Sequence, residues 1–466
     1  MQVPSCLGCR ERDARIAALE AEVAALRRQV EELQQRLERL TPPPAQRAST
    51  VFPKAPAKQP TGKRPGGQPG HPPHLKQLLP PERVQRTVPF VPTTCARCQT
   101  PLPPQAGPDD PPPTRHQVAE LPEVAAVITE YQGHHRTCPG CGHVTHAAIP
   151  VDLRAHSVGP KLTAVLAYLV GCHGVSKRGI EEISAAVFAA PIALGTVAHL
   201  EQEVSAALAP VHAEAVEAVR SAPVKHVDET GWKQAGRKRW LWVAATTQVV
   251  VFLIDRLRNL LALRKLLGPT LAGILCSDRW RAYDDWPVLQ RQVCWAHLKR
   301  NFEKLQERGG KAQVIATAAL DVQRQVFEWW HLFRGGGCSR EVMDEQMAGL
   351  SLALLEVLGT GARSRDPKLV RFCRRLWSVY PALWTFVVVD GVEPTNNHAE
   401  RVQRRAVLWR RRSFGCHSAA GCRFVERILT VVQSLRLQER SVVQFLHQAI
   451  EAHRHASAAP KLVLEG

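Results

Sequence analysis

The chain has 466 residues, 45% of them hydrophobic, with 61 Lys and Arg against 42 Asp and Glu, a formal charge of +19 and a sequence pI near 9.7. Such a length predicts two to four modules with sizeable cores rather than one ordinary domain. No apolar run reaches the ~18 residues of a membrane span, and the first residues lack the apolar stretch of a secretory leader, so neither an embedded nor a secreted class is expected. The positive excess favours a polyanionic partner such as nucleic acid. Thirteen cysteines, an odd number that includes three C-x-x-C pairs, point to metal binding in a reducing cytoplasm rather than to a disulfide framework.

Residues 10–41 read as a leucine-zipper coiled coil. Ile16, Val23, Val30 and Leu37 form one seven-residue row, and Leu19, Leu26, Leu33 and Leu40 form the other. β-branched residues in the first row and leucines in the second favour a parallel two-stranded coil, so a homodimer or higher oligomer is expected. In that register Arg15 faces the partner's Glu20, and Glu22 faces the partner's Arg27. Thr41 and the three prolines after it end the helix. Cys6 and Cys9 precede it, either as metal ligands across a dimer or as bystanders. Residues 42–81 are a Pro/Gly-rich basic linker. Within it, Lys63 and Arg64 of GKRPGGQPGHPPH could track phosphates or enter a minor groove, the alternative being a solvated linker.

Residues 82–150 carry Cys95-x-x-Cys98 and Cys138-x-x-Cys141, two pairs able to supply four thiolates to a structural Zn²⁺. A zinc ribbon is expected, with an enlarged Pro-rich loop and a strand leading into the second pair. His134, His135, His143 and His146 are alternative ligands. Residues 155–222 have helical spacing, with one helix through 179–188, a break near Pro191 and a second helix around 194–208. That pattern is compatible with a DNA-binding helix-turn-helix and equally with plain helical packing.

From residue 223 the pattern turns to strands. A β-like stretch ends at Asp228, β-rich runs follow at 239–246 and 248–254, and a helical segment at 257–267 leads to LAGILCSDRW, whose apolar run ends at Asp278. Glu400 lies on a predicted helix that Asn396 or Asn397 could cap. Carboxylates at two strand ends and on one helix could converge on two Mg²⁺ (or Mn²⁺) ions, which clamp the attacking and leaving oxygens of a phosphoryl displacement. Glu229 neighbours Asp228, but successive strand residues point to opposite faces. Cys294 and His297 share a helical face and either bind metal or brace the core, the second being favoured. Trp329, Trp330, Trp377 and Trp384 either contact DNA bases or pack in the core, the second being favoured. Between 401 and 427 stand eight arginines against one acid, Glu426. Arg401, Arg404, Arg405, Arg410, Arg411 and Arg412 suit a phosphate backbone.

This order of strands and acids resembles the ribonuclease H-like fold. The expected class is multidomain α/β: an N-terminal coiled coil, a zinc ribbon, a helical domain, and a ribonuclease H-like core with a helical insertion. The core begins at 223–299, the insertion occupies 300–393, and 394–450 holds the end of the core with C-terminal helices.

Taken together, the zipper, RPGGQPGH at 64–71, the two later C-x-x-C pairs, HVDET at 226–230, SDRWRAY at 277–283, CWAH at 294–297 and NNHAER at 396–401 resemble a bacterial transposase of the insertion sequence 66 family, in content and in order. The resemblance implies that Asp228, Asp278 and Glu400 are a DDE triad binding two metal ions, and that the chain cuts and joins double-stranded DNA at element ends and target. Helper proteins of the same element are an open requirement, and the implied location is the bacterial cytoplasm, at the nucleoid. The long loop at 101–113 and the extra C-x-x-C before the zipper depart from the family pattern. They bear on end recognition rather than chemistry.

Overall fold

The computed structural model describes residues 78–122 and 124–464, and Ala24 alone of the N-terminal segment. The heptads as a whole, Cys6, Cys9, Lys63, Arg64 and RPGGQPGH lie outside the described residues. The chain divides into two units, Met1–Ala119 and Glu120–Gly466.

In the first unit the described residues are mostly extended. The amide of Cys95 donates to Thr100 O and that of Gln99 to Cys95 O, both at 2.9 Å, closing a tight turn around the first C-x-x-C pair. Leu79 is held by Gln117 and Arg115, whose side chains take up its backbone groups at 2.8–2.9 Å.

The second unit opens with a hairpin, β1 (His135–Thr137) and β2 (Val144–His146), wrapped around the second C-x-x-C pair. After a single helical turn at Val151–Arg154 come four longer helices: α1 (Pro160–His173), α2 (Lys177–Phe188), α3 (Leu194–Ala207) and α4 (Ala209–Ser221). Gly174, at φ +63°, ends α1, and Ser176 caps α2 by accepting from the Gly179 amide at 3.1 Å. The sheet then begins with β3 (Val224–Gln234), β4 (Arg237–Ala245) and β5 (Val250–Asp255). Ala235 and Gly236 both have positive φ, the two-residue turn whose twist matches an antiparallel hairpin. After α5 (Leu260–Leu267) come β6 (Ile274–Ser277) and β7 (Arg291–Val293), both parallel to β3. The strand order is β5-β4-β3-β6-β7, a mixed sheet. The helical region expected at 300–393 contains α6 (Trp295–Gln306), α7 (Gly310–Arg334), α8 (Arg340–Ala362) and α9 (Pro367–Trp377). The chain closes with α10 (Asn397–Ser413), α11 (Ala419–Leu437) and α12 (Val442–Arg454).

The sheet is buried on both faces. Leu241, Val243 and Ala245 of β4 pack with Ala399, Val402 and Ala406 of α10, whereas Trp242 and Ala244 pack into a core shared with α1–α5, α11 and α12. This alternation is the two-residue period of a strand. Val158, Leu166, Val197, Val204 and Val219 belong to the same core as Val227 and Trp242, so the helices expected as a separate module at 155–222 are packed on the sheet. A second core gathers α6–α9 around Trp295 and Trp330. Trp329 and Trp384 are partly buried against it, while Trp377, expected in the core, is 45% exposed.

The outer edge of β5 is closed by side chains of α11. The amides of Val250, Phe252 and Ile254 donate to Ser434 Oγ at 2.9 Å, Thr430 Oγ1 at 3.1 Å and Glu426 Oε1 at 2.6 Å. Four helical residues rise about 6 Å and two strand residues about 6.8 Å, so the two ladders run in step. The edge that would otherwise template another strand is thereby satisfied. No described helix is long and apolar enough to cross a membrane.

Candidate active site

Asp228 does not end its strand: β3 continues six residues further, because the hairpin with β4 pairs it through Gln234. What ends near Asp228 is the parallel pairing with β6, whose last partners are His226 and Cys276. Continued by two residues, that register sets Asp228 level with Asp278, which directly follows β6. Both acids therefore open at the place where the two strands part. Glu400 arrives from α10, whose buried face of Ala399, Val402, Gln403 and Ala406 seats the helix on the sheet.

Each acid has a distinct setting. Asp228 Oδ1 accepts from the Glu229 amide at 2.9 Å, and Asp278 Oδ1 accepts from the Trp280 amide at 2.8 Å. Glu400 Oε1 lies 3.3 Å from Arg300 Nη2 and 3.6 Å from His297 Nδ1. Burial pushes the Asp228 carboxyl up to about 8; the charges of Glu229, Asp278 and Glu400 add to the rise, and the Glu229 amide opposes it. Three acids from β3, the end of β6 and α10 thus share one field. Among the described residues no group of three or more His, Cys, Asp or Glu side chains closes into a metal cage. The donor set is nonetheless that of a hard cation: carboxylate oxygens without thiolate.

Glu229 is tied elsewhere. Its carboxylate accepts from Tyr283 Oη at 2.5 Å and Arg258 Nε at 2.8 Å, which braces β3 against the segment after β6. Asn396 was expected as a helix cap. It does stand at the N-cap of α10, but without a side-chain cap bond. Its Nδ2 donates to Val227 O at 2.7 Å, its Oδ1 lies 3.2 Å from His226 Nδ1, and its amide donates to Cys294 Sγ at 3.1 Å. Asn396 therefore fastens the helix bearing Glu400 to the strand bearing Asp228. Sequence reasoning missed that role, although the polar pair Asn396-Asn397 marked the place. Cys294 is fully buried and burial raises its thiol, which fits the bracing role. His297 faces Glu400, its Nδ1 buried without a hydrogen-bond partner.

The arginines of α10 divide into two groups. Arg405 donates to Cys172 O at 3.3 Å, Arg412 to His173 O at 2.6 Å, and Arg410 to Gly231 O and, at 3.1 Å, Thr230 Oγ1. These three clamp α10 to α1 and β3. Arg401, Arg404 and Arg411 are exposed.

The two cysteine pairs fall in different units. Cys98 Sγ lies 3.2 Å from Thr100 Oγ1, and hydrogen bonds from Thr100 lower its thiol to about 7. Hydrogen bonds from the amides of Cys141 and Gly140 lower the Cys138 thiol. His135 and His146 contact each other, Nδ1 to Nδ1, across the hairpin.

Three acids on a mixed α/β scaffold, beside an arginine-bearing helix, place a carboxylate cluster next to a cationic surface. The family model described as "Transposase IS66 family" matches residues 156–423, and the chain belongs to that family. An uncharacterized protein of Sinorhizobium fredii, y4qI, is 27% identical over 209 residues, 40% of this chain and 36% of that protein. The chain thus spans about a third of the length of the curated relative it matches.

Proposed function

We propose that the chain is a DDE transposase, cutting DNA at the ends of a bacterial insertion sequence and joining those ends to target DNA, with Asp228, Asp278 and Glu400 as its triad. The carrying observation is the shared field of these three acids on elements brought together from distant parts of the chain. The strand order, three antiparallel strands followed by two parallel ones, supports the ribonuclease H-like reading of the core. Asp228, Asp278 and Glu400 would hold a pair of Mg²⁺ or Mn²⁺ ions, which would supply the charge that stabilises the attacking and leaving oxygens. The chain's own part is to orient the acids. Backbone amides fix one oxygen each of Asp228 and Asp278, and Glu400, now beside Arg300, would be the third carboxylate to hold a cation. Exposed Arg401, Arg404 and Arg411 on the same helix hold phosphates of double-stranded DNA. Each C-x-x-C turn presents a pair of thiols suited to half of a tetrahedral zinc set. The heptads at 16–40 pair two copies, so that two DNA ends are held together, with or without helper proteins of the element.

The test uses the purified full chain, Mg²⁺ or Mn²⁺, and DNA bearing the element's own ends. The expected outcome is nicks leaving 3′-hydroxyls that join target DNA, lost in Asp228→Asn, Asp278→Asn and Glu400→Gln alike. Strand transfer surviving in any one of the three removes that residue from the triad.

A further inference from the structure

A groove of about 1310 Å³ runs from Asp278 and His297 along the segment 279–291 on one side and α9 on the other. α9 buries Leu369, Cys373 and Leu376 in the helical core. Its opposite face lines the groove with Lys368, Arg371, Arg374 and Arg375, all exposed. Among the described residues none of these four has a carboxylate within ion-pair distance. Some cations on neighbouring helices are paired: Arg324 with Glu328 at 2.9 Å, Lys299 with Glu303 at 4.0 Å and Arg340 with Asp390 at 3.2 Å.

The facing wall adds a second sign. Arg291 is 2% exposed, yet its Nε has no hydrogen-bond partner, and its Nη1 reaches Asp284 only at 3.5 Å. In all, the groove is lined by seven Lys and Arg against three Asp. An occupant must therefore be anionic and elongated. Lys368 and Arg375 are seven residues apart, about 10.5 Å along a helix, which matches roughly three nucleotide steps at ~3.4 Å of axial rise.

We infer that this groove holds the sugar-phosphate backbone of the DNA strand leaving the candidate active site, with α9 as a row of phosphate contacts. The inference rests on the DNA-cutting reading of that site, because Asp278 belongs to both. Asp278 itself lines the groove, so a strand whose phosphodiester lies at Asp278 is already against it.

The experiment is binding of the full chain in EDTA to a labelled duplex with a 3′ single-stranded overhang, followed against salt. Arg371→Gln/Arg374→Gln/Arg375→Gln is compared with wild type and with Arg324→Gln, which removes a paired cation. The triple variant is expected to lower the slope of log K against log salt by about 2–3, since each lost phosphate contact removes about 0.7–0.9. Arg324→Gln should leave the slope unchanged. Should the triple variant melt below wild type, the single variants replace it, each expected to lower the slope by about 1. An unchanged slope in properly folded variants overturns the groove assignment, even where metal-dependent cleavage persists and upholds the transposase reading. A reduced slope in EDTA, with no cleavage when Mg²⁺ is supplied in a parallel reaction, upholds the groove as a row of phosphate contacts and counts against the transposase reading alone.

Discussion

Replacing Asp228 by Asn should stabilise the metal-free protein while abolishing its chemistry. The wild-type carboxyl is raised from 3.8 to about 8 by burial and by neighbouring acids. A raised acid favours the folded state below its unfolded value, and that contribution is lost as pH rises through the folded value. Between about pH 4 and pH 8 the unfolded chain ionises this group while the folded chain keeps its proton, so wild-type stability declines across that window. At pH 7 the gap is about 3 pH units, a ceiling near 4 kcal/mol at 1.36 kcal/mol per unit. The side chain is only partly shielded from solvent, so about 2 kcal/mol is the expected effect once screening is allowed for. Asparagine keeps the oxygen that accepts from the Glu229 amide and carries no charge. Urea unfolding in EDTA at a series of pH values reads the difference. The Asn variant should match wild type near pH 4 and exceed it by about 2 kcal/mol at pH 7, and added Mg²⁺ should stabilise wild type alone. A variant no more stable than wild type at pH 7 would refute the idea that this carboxyl lacks a counter-charge.

Asn396→Ala removes the ties to Val227 O and His226. It should cost about 1–3 kcal/mol in unfolding free energy and lower kcat for strand cleavage with KM nearly unchanged, because Glu400 loses its fixed position relative to Asp228. Wild-type kcat in this variant would show that the tie does not position the triad. Thr430→Val keeps the shape of a side chain that is 0% exposed but leaves the Phe252 amide without its acceptor. Denaturant midpoints should record a loss of about 1–3 kcal/mol, restored by Thr430→Ser; an unchanged midpoint would mean that the edge of β5 does not need α11.

Some of this architecture was legible in the sequence because its signals are local. The helices at 179–188 and 194–208 were placed by apolar spacing and by Pro191, and the structure puts helices at Lys177–Phe188 and Leu194–Ala207. The β-rich runs at 239–246 and 248–254 correspond to β4 and β5. Asp228, Asp278 and Glu400 stood out as acids beside apolar runs or arginines. The end of β3 was misplaced because Glu229, Thr230 and Gly231 look like a turn, and only pairing with β4 makes them strand.

The chain by itself determined its charge, its cysteine pairs, most of its helix and strand positions, and the three acids available for a metal. Tertiary structure decided which polar residues serve the site and which serve the fold. Asn396 turned out to join α10 to β3, three of the α10 arginines clamp backbone carbonyls, and Glu426, Thr430 and Ser434 close a strand edge. The physical reason is that spacing in sequence reports neighbours within a turn or a strand pair, whereas these partners lie far apart along the chain. A hydroxyl, amide or guanidinium looks the same in sequence whether its partner is water or a buried carbonyl.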